Sequence, residues 1–215
     1  MTGQRLVLGW AHSDVHCLAP IAVRKAGPIG VLLVPEHAAG TARARLQHQL
    51  RCFETGMAFV PTAPAESVPE NDGARIAQSR QKQLAEALVA LDGMGQLTLS
   101  MTWASPMQRL PNRTCGRDWL HHRKDLHAEA DHRSRTALTF LDLLENLGQA
   151  SRTRQQNQGV ERDLLVSGAR MNSVRQRIQK HAATFEACDL RLTVTGLWPP
   201  FSFVQSFSCN NGVII

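Results

Sequence analysis

Tyrosine is absent from this 215-residue chain, and aromatic residues make up only 5% of it. A platform that stacks the bases of single-stranded nucleic acid needs more aromatic faces than that. Paired cysteines are missing as well. Cys17, Cys52, Cys115, Cys188 and Cys209 stand alone, with no Cys-x-x-Cys among them. Their odd count and wide spacing argue against a disulfide framework or a zinc ribbon and favour reduced, mostly packed thiols. No long apolar run occurs. The longest, Ile29–Val34, is far short of the ~20 residues that cross a bilayer, so no membrane insertion is expected. The opening MTGQRLVLGW lacks the basic start and long apolar stretch of a secretory signal, which makes the cytoplasm the expected location. Neither G-x-x-x-x-G-K-[ST], G-x-G-x-x-G nor G-x-S-x-G is present, so no phosphate cradle or nucleophile elbow is indicated.

What the chain does have is an ordinary globular composition, 43% hydrophobic and 20% charged. That is enough to build a core without staples and to fill one domain or two small ones. Lys and Arg number 24 against 18 Asp and Glu, a net charge of +6. The excess favours anionic partners at low salt. The arginines are spread from Arg5 to Arg191, so they mark no nucleic-acid-binding stripe, and nucleic acid is not an expected partner.

Short strands come first. Arg5–Trp10 is apolar and ends at the polar turn His12-Ser13-Asp14. Ile21–Arg24 and Ile29–Val34 flank a Gly27-Pro28 turn and read as a hairpin. Residues 41–53 place Leu46, Leu50 and Phe53 at helical spacing, and Met57–Val60 is a candidate strand. One helix is expected over 74–91, with Ile76, Leu84, Leu88 and Leu91 on one face and Asn71 or Asp72 as its cap. Gln96–Trp103 alternates as a half-buried strand. A long helix is expected over 117–148, with the stripe Leu126, Ala130, Ala137, Leu141 and Leu144 and a very polar first half. Ser151–Gly159 reads as a polar loop and Val160–Val166 as a strand. Residues 170–185 form an amphipathic helix, and Leu190–Thr195 alternates again.

Pro106 and Pro111 mark a linker, which places the expected boundary between an N-terminal domain, residues 1–104, and a C-terminal domain, residues 105–215. Both halves close on a helix followed by an alternating strand. The expected fold is therefore α+β in two units: an N-terminal ferredoxin-like domain and a related C-terminal α+β domain with a long helix.

Three segments are candidates for function. In the stretch His121–His132, Asp125, Glu129 and His132 fall at i, i+4 and i+7 and would share a helix face. Imidazole and carboxylates ligate metals, so a metal-binding or enzymatic protein is the alternative reading. Arg123, Lys124 and Arg133 lie among those residues and would repel a cation; a solvated face is the simpler reading. The crowded His12–Cys17 reads as a polar turn, because catalytic triads assemble from distant segments. No catalytic, cofactor-binding or metal-ligating residue is assigned, and no enzyme is expected. The third segment is Gly196-Leu197-Trp198-Pro199-Pro200-Phe201-Ser202-Phe203. Gly196 can turn the chain out of the preceding strand, and Pro199 and Pro200 hold an extended path. The aromatics either fold back as a plug on the C-terminal unit or present a surface to a partner; their large area favours the plug.

This segment resembles the C-terminal signature of the gas vesicle GvpL/GvpF family, in which Trp-Pro-Pro and an aromatic follow a strand. Gly116-Arg117-Asp118-Trp119-Leu120-His121-His122-Arg123 is similar to that family's G-R-x-aromatic-L-x-x-R motif, and Asp163–Ile178 to its strand, turn and amphipathic helix. Two departures stand out. Leu197 occupies a position where the family usually has proline, and Phe59-Val60-Pro61-Thr62-Ala63-Pro64 replaces its P-V-R-F-G-T stretch. The tail Ser206–Ile215 runs past the family's usual end. The resemblance implies a two-domain accessory protein of gas vesicle assembly, located in the cytoplasm and at the gas vesicle. Its implied partners are the small hydrophobic shell protein and other accessory proteins, and its implied task is to assist nucleation or prevent aggregation. Gly196, Trp198, Pro199, Pro200 and Phe201 are the residues the resemblance marks as a partner-binding or structural motif.

Overall fold

A computed structural model describes residues 4–105, 116–156 and 159–204. The linker prolines Pro106 and Pro111, Cys115, Cys209 and the tail Ser206–Ile215 lie outside the described residues. The described chain forms two compact units. Residues 4–96, 167–169 and 197–204 make the first, and residues 97–105, 116–156, 159–166 and 170–196 the second.

The first unit starts with strands β1 (Arg5–His12), β2 (Ala22–Ala26) and β3 (Ile29–Pro35). Helices α1 (Glu36–Ala39) and α2 (Ala42–Glu54) lead to β4 (Phe59–Pro61), followed by α3 (Glu70–Ser79) and α4 (Gln81–Ala90). The sheet order is β2-β3-β1-β4, and each neighbouring pair is antiparallel. The expected hairpin is β2–β3. Ala26 pairs with Ile29 around Gly27, whose φ of +70° suits a residue without a side chain.

Both faces of this sheet are covered, which explains why β1 and β3 read as near-continuous apolar runs. A bulge at Leu8 breaks the β1–β3 register between Val7 and Gly9. It switches the alternation, so Leu6, Leu8 and Ala11 all join the cluster of Leu32, Val34, Ala39, Cys52 and Phe59. Val7 and Trp10 go to the other face, where α3 lies. Trp10 Nε1 donates to Gly73 O at 3.1 Å, and a Cβ on Gly73 would overlap Val7 Cγ2. Two buried polar side chains hold the loops to this frame. Arg45 donates to Ala39 O and Pro64 O, each at 2.8 Å. Gln49 Nε2 donates to Leu8 O, the bulge carbonyl, and to Thr62 O, each at 2.8 Å.

The expected helix over 74–91 is two helices. The chain breaks at Arg80 (φ −121°, ψ 27°), and α3 begins at Glu70, directly after Pro69, so neither Asn71 nor Asp72 is its cap. Apolar spacing survives a break of one residue, which is why periodicity alone shows one helix. Ile76 and Leu84 are both buried.

The second sheet contains β5 (Met94–Trp103), β6 (Ala150–Gln156), β7 (Gly159–Ser167) and β8 (Leu190–Trp198), in the order β6-β7-β5-β8. Helix α5 (Gly116–Glu145) joins β5 to β6, and α6 (Met171–Ala187) joins β7 to β8. The path β5-α5-β6-β7-α6-β8 with this order is the ferredoxin-like arrangement. The first unit has the same strand order, but residues 13–21 make its first crossover without a helix. The two-unit α+β fold is thus present.

Strand β6 corrects the expected polar loop. Residues 150–156 pair with β7 in continuous register, Arg152 opposite Asp163 and Arg154 opposite Glu161. The strand is held by charge rather than by an apolar face. Arg154 Nη2 lies 2.9 Å from Asp163 Oδ2 and 3.4 Å from Glu161 Oε2. Opposite charges across neighbouring strands stabilise a sheet without leaving a hydrophobic period in the sequence. On α5, Ala137, Leu141 and Leu144 of the expected stripe are buried, while Leu126 and Ala130 are half-buried.

Candidate interaction site

The Trp-Pro-Pro segment ends β8 and belongs, from Leu197 onward, to the first unit. Gly196, with φ +115°, makes the turn expected of it, and its carbonyl accepts from Arg175 Nη2 at 2.7 Å. Pro199 and Pro200 are buried; Trp198, Phe201 and Phe203 are half-buried. A short 3-10 turn, Phe201–Phe203, follows, with Phe203 N donating to Pro200 O at 3.0 Å. Buried Gln96 anchors it, because Gln96 Oε1 accepts from Ser202 N at 2.9 Å. Val204 is buried after the turn.

Leu197 and Pro200 form one wall of a cavity of about 450 Å³ that lies wholly within the first unit. Leu50 and Phe53 of α2 form another, with Met57 and Phe59 beyond the helix end. Leu91 and Met94, on either side of Gly93, complete the apolar lining, and Glu54 supplies a carboxylate. Leu50, Phe53, Met57 and Leu197 are each half-buried, so the groove offers apolar side chains to solvent. Two of these lining side chains pack closely on Gly95, where a Cβ would stand 2.5 Å from Leu197 Cγ and 2.9 Å from Phe53 Cζ. Leu197, the departure from the family's usual proline, thus packs over a bare backbone and becomes part of the groove.

Of the five marked residues, only Pro200 lines this groove. The other walls come from segments about 40, 100 and 140 residues apart in sequence, each read beforehand only as core of its own element. No local motif announces such a surface.

The other two segments are placed plainly. His121–His132 lies on α5, where Glu129 pairs with Arg133 at 2.6 Å rather than joining Asp125 and His132 at a shared ion. Arg123 sits over the Trp119 ring at 5.1 Å. Among the described residues, no group of three His, Cys, Asp or Glu side chains is arranged to hold a metal. His12 closes β1, and Ser13 N donates to Pro28 O at 3.0 Å, so this end of the crowded segment is a turn against the hairpin. Cys17 and Cys52 are free thiols. Burial raises the pKa of both; for Cys52, with the nearby Cys17 adding to it, the value reaches about 12. No helix of the described residues is long and apolar enough to cross a membrane.

Comparison with known proteins fixes the family. The model of the gas vesicle synthesis protein GvpL/GvpF family matches residues 36–205. The solved gas vesicle protein GvpF from Anabaena sp. PCC7120 is similar in fold, with a TM-score of 0.72 at 11% identity, covering 94% of this chain and 95% of that one. The GvpF structure from Microcystis aeruginosa gives a TM-score of 0.71 at 14% identity, covering 94% and 99%. No curated protein sequence matches significantly. At such identities the two structures establish the shared fold, and the family match, spanning more than half the sequence, establishes that the chain belongs to the GvpL/GvpF family of gas vesicle synthesis proteins.

Proposed function

We propose that this protein is a cytoplasmic accessory factor of gas vesicle assembly that binds the small hydrophobic shell protein and assists nucleation or prevents premature aggregation. The family match over residues 36–205 is the observation that carries this reading. The apolar groove supplies a physical means. A shell subunit must present an apolar face that will later meet gas, and before assembly that face self-associates unless covered. A groove with half-buried Leu50, Phe53, Met57 and Leu197 offers a small apolar counter-surface. A cover that later leaves should be modest in area and affinity. Other accessory proteins of the vesicle are further partners. On this reading the protein makes and breaks no covalent bond, and the Trp198–Phe201 segment acts by shaping the groove wall.

The test is to co-purify shell protein with the wild-type chain and with Trp198→Ala, checking the fold of each by circular dichroism. Reduced capture by a folded Trp198→Ala chain supports a role for the segment in binding. Unchanged capture removes that role, and loss of fold assigns the tryptophan to packing. Stoichiometric metal surviving dialysis of an untagged preparation would instead favour the reading built on His121–His132.

A further inference from the structure

A second cavity of the first unit, about 330 Å³, lies between the β1–β2 crossover and α2. Cys17 lines it from the crossover and Cys52 from the helix. The two residues also pack in one hydrophobic cluster, with Cys52 buried and Cys17 half-buried at its edge. Nothing in the vesicle-assembly reading uses either thiol. We propose that Cys17 and Cys52 are an oxidisable pair that closes into an intramolecular disulfide by exchange with a low-molecular-weight disulfide such as oxidised glutathione.

The exchange has a defined order. Cys17 is the more accessible sulfur and the less shielded one, so its thiolate attacks first, forms a mixed disulfide and releases one glutathione thiol. Cys52 then attacks the Cys17 sulfur and releases the second glutathione. Two protein thiols are oxidised, one small disulfide is reduced to two thiols, and the protons lost by the cysteines are carried by those products. Burial makes both steps slow: it raises the pKa of Cys17, the first nucleophile, and keeps Cys52, the second, protonated at neutral pH. The same burial makes the product durable, since a thiol of high pKa is a poor leaving group when the disulfide is attacked. His16, His48, Arg51 and Glu54 are the titratable and charged groups lining the cavity around the pair.

The bond would pin the crossover to the C-terminal part of α2. Met57 and Glu54 line both this cavity and the apolar groove, so the link would stiffen a shared wall.

The test uses the full-length protein incubated with excess oxidised glutathione, or with dithiothreitol as control, then alkylated in denaturant and mapped by mass spectrometry. The expected result is a linked peptide pair holding Cys17 and Cys52, while exposed Cys188 carries a mixed glutathione disulfide. The oxidised chain should melt roughly 5–10 °C higher than the reduced one. Cys17→Ser, at the cluster's edge, should abolish both the link and the shift. The proposal is overturned if Cys17 and Cys52 stay alkylatable, if each ends as a separate mixed disulfide, or if either pairs with Cys115, Cys188 or Cys209.

Discussion

Replacing Gly95 by alanine tests whether the groove wall is as tightly fitted as its geometry says. The added Cβ would lie 2.5 Å from Leu197 Cγ and 2.9 Å from Phe53 Cζ, both inside ordinary contact. Two effects oppose each other. Alanine lowers the entropy of the unfolded chain and suits a strand better than glycine, a gain of about 0.5–1 kcal/mol. Overpacking costs about 1–3 kcal/mol when neighbouring side chains must leave their rotamers. Leu197 and Phe53 can both move, so a net loss of about 1–2 kcal/mol is expected by urea denaturation. The cause is separable by a double-mutant cycle. Leu197→Ala removes the nearer obstacle, so adding Gly95→Ala in that background should cost about 1 kcal/mol less than in wild type. A stabilising or neutral Gly95→Ala, or a cost unchanged by Leu197→Ala, would refute the close packing of Leu197 over this backbone.

Gln49 and Cys52 give two further tests of the first unit. Gln49→Ala strips donors from Leu8 O and Thr62 O and should cost about 2–4 kcal/mol in chemical denaturation. Gln49→Glu should cost more at neutral pH, because a carboxylate would face those carbonyl oxygens, and the excess should shrink as pH falls; equal costs for the two would count against the bonding at the bulge. The Cys52 thiol is pushed up to about 12 in the folded state, while an unfolded cysteine titrates near ~8.5. Between those values the unfolded chain releases a proton that the native chain keeps, so stability falls as pH rises, by about 1.4 kcal/mol per unit above roughly pH 9. Cys52→Ala lacks that contribution, so its stability should decline less steeply than wild type from pH 8 to 10.5; parallel curves would contradict the shift.

Elements whose apolar pattern alone decides their state were legible in the sequence. The runs Arg5–Trp10 and Ile29–Val34, and the alternation of Gln96–Trp103, became strands because nothing but burial competes for those side chains. Strand β6 was not legible, since its polar residues carry no apolar period and Arg154 meets its partners Glu161 and Asp163 on the neighbouring strand β7. The bulge at Leu8 was hidden for a related reason: a sheet covered on both faces leaves no polar residue to mark where alternation slips. The break at Arg80 left the apolar spacing intact. At the candidate site, the Trp-Pro-Pro element identified the family, but its own side chains supply only Pro200 to the groove. The rest of the surface depends on how Phe53, Met57, Leu91 and Leu197 converge in space, which no local pattern encodes.

Complementation in a vesicle-forming host tests the central claim most directly. The gene is deleted, then supplied in trans as wild type or as Met57→Asp, which sets a charge in a half-buried wall of the groove. The account predicts that deletion abolishes or sharply reduces refractile vesicles, that wild type restores them, and that Met57→Asp, present as folded protein, does not. Vesicles that form normally without the gene, or that Met57→Asp restores in full, would contradict it.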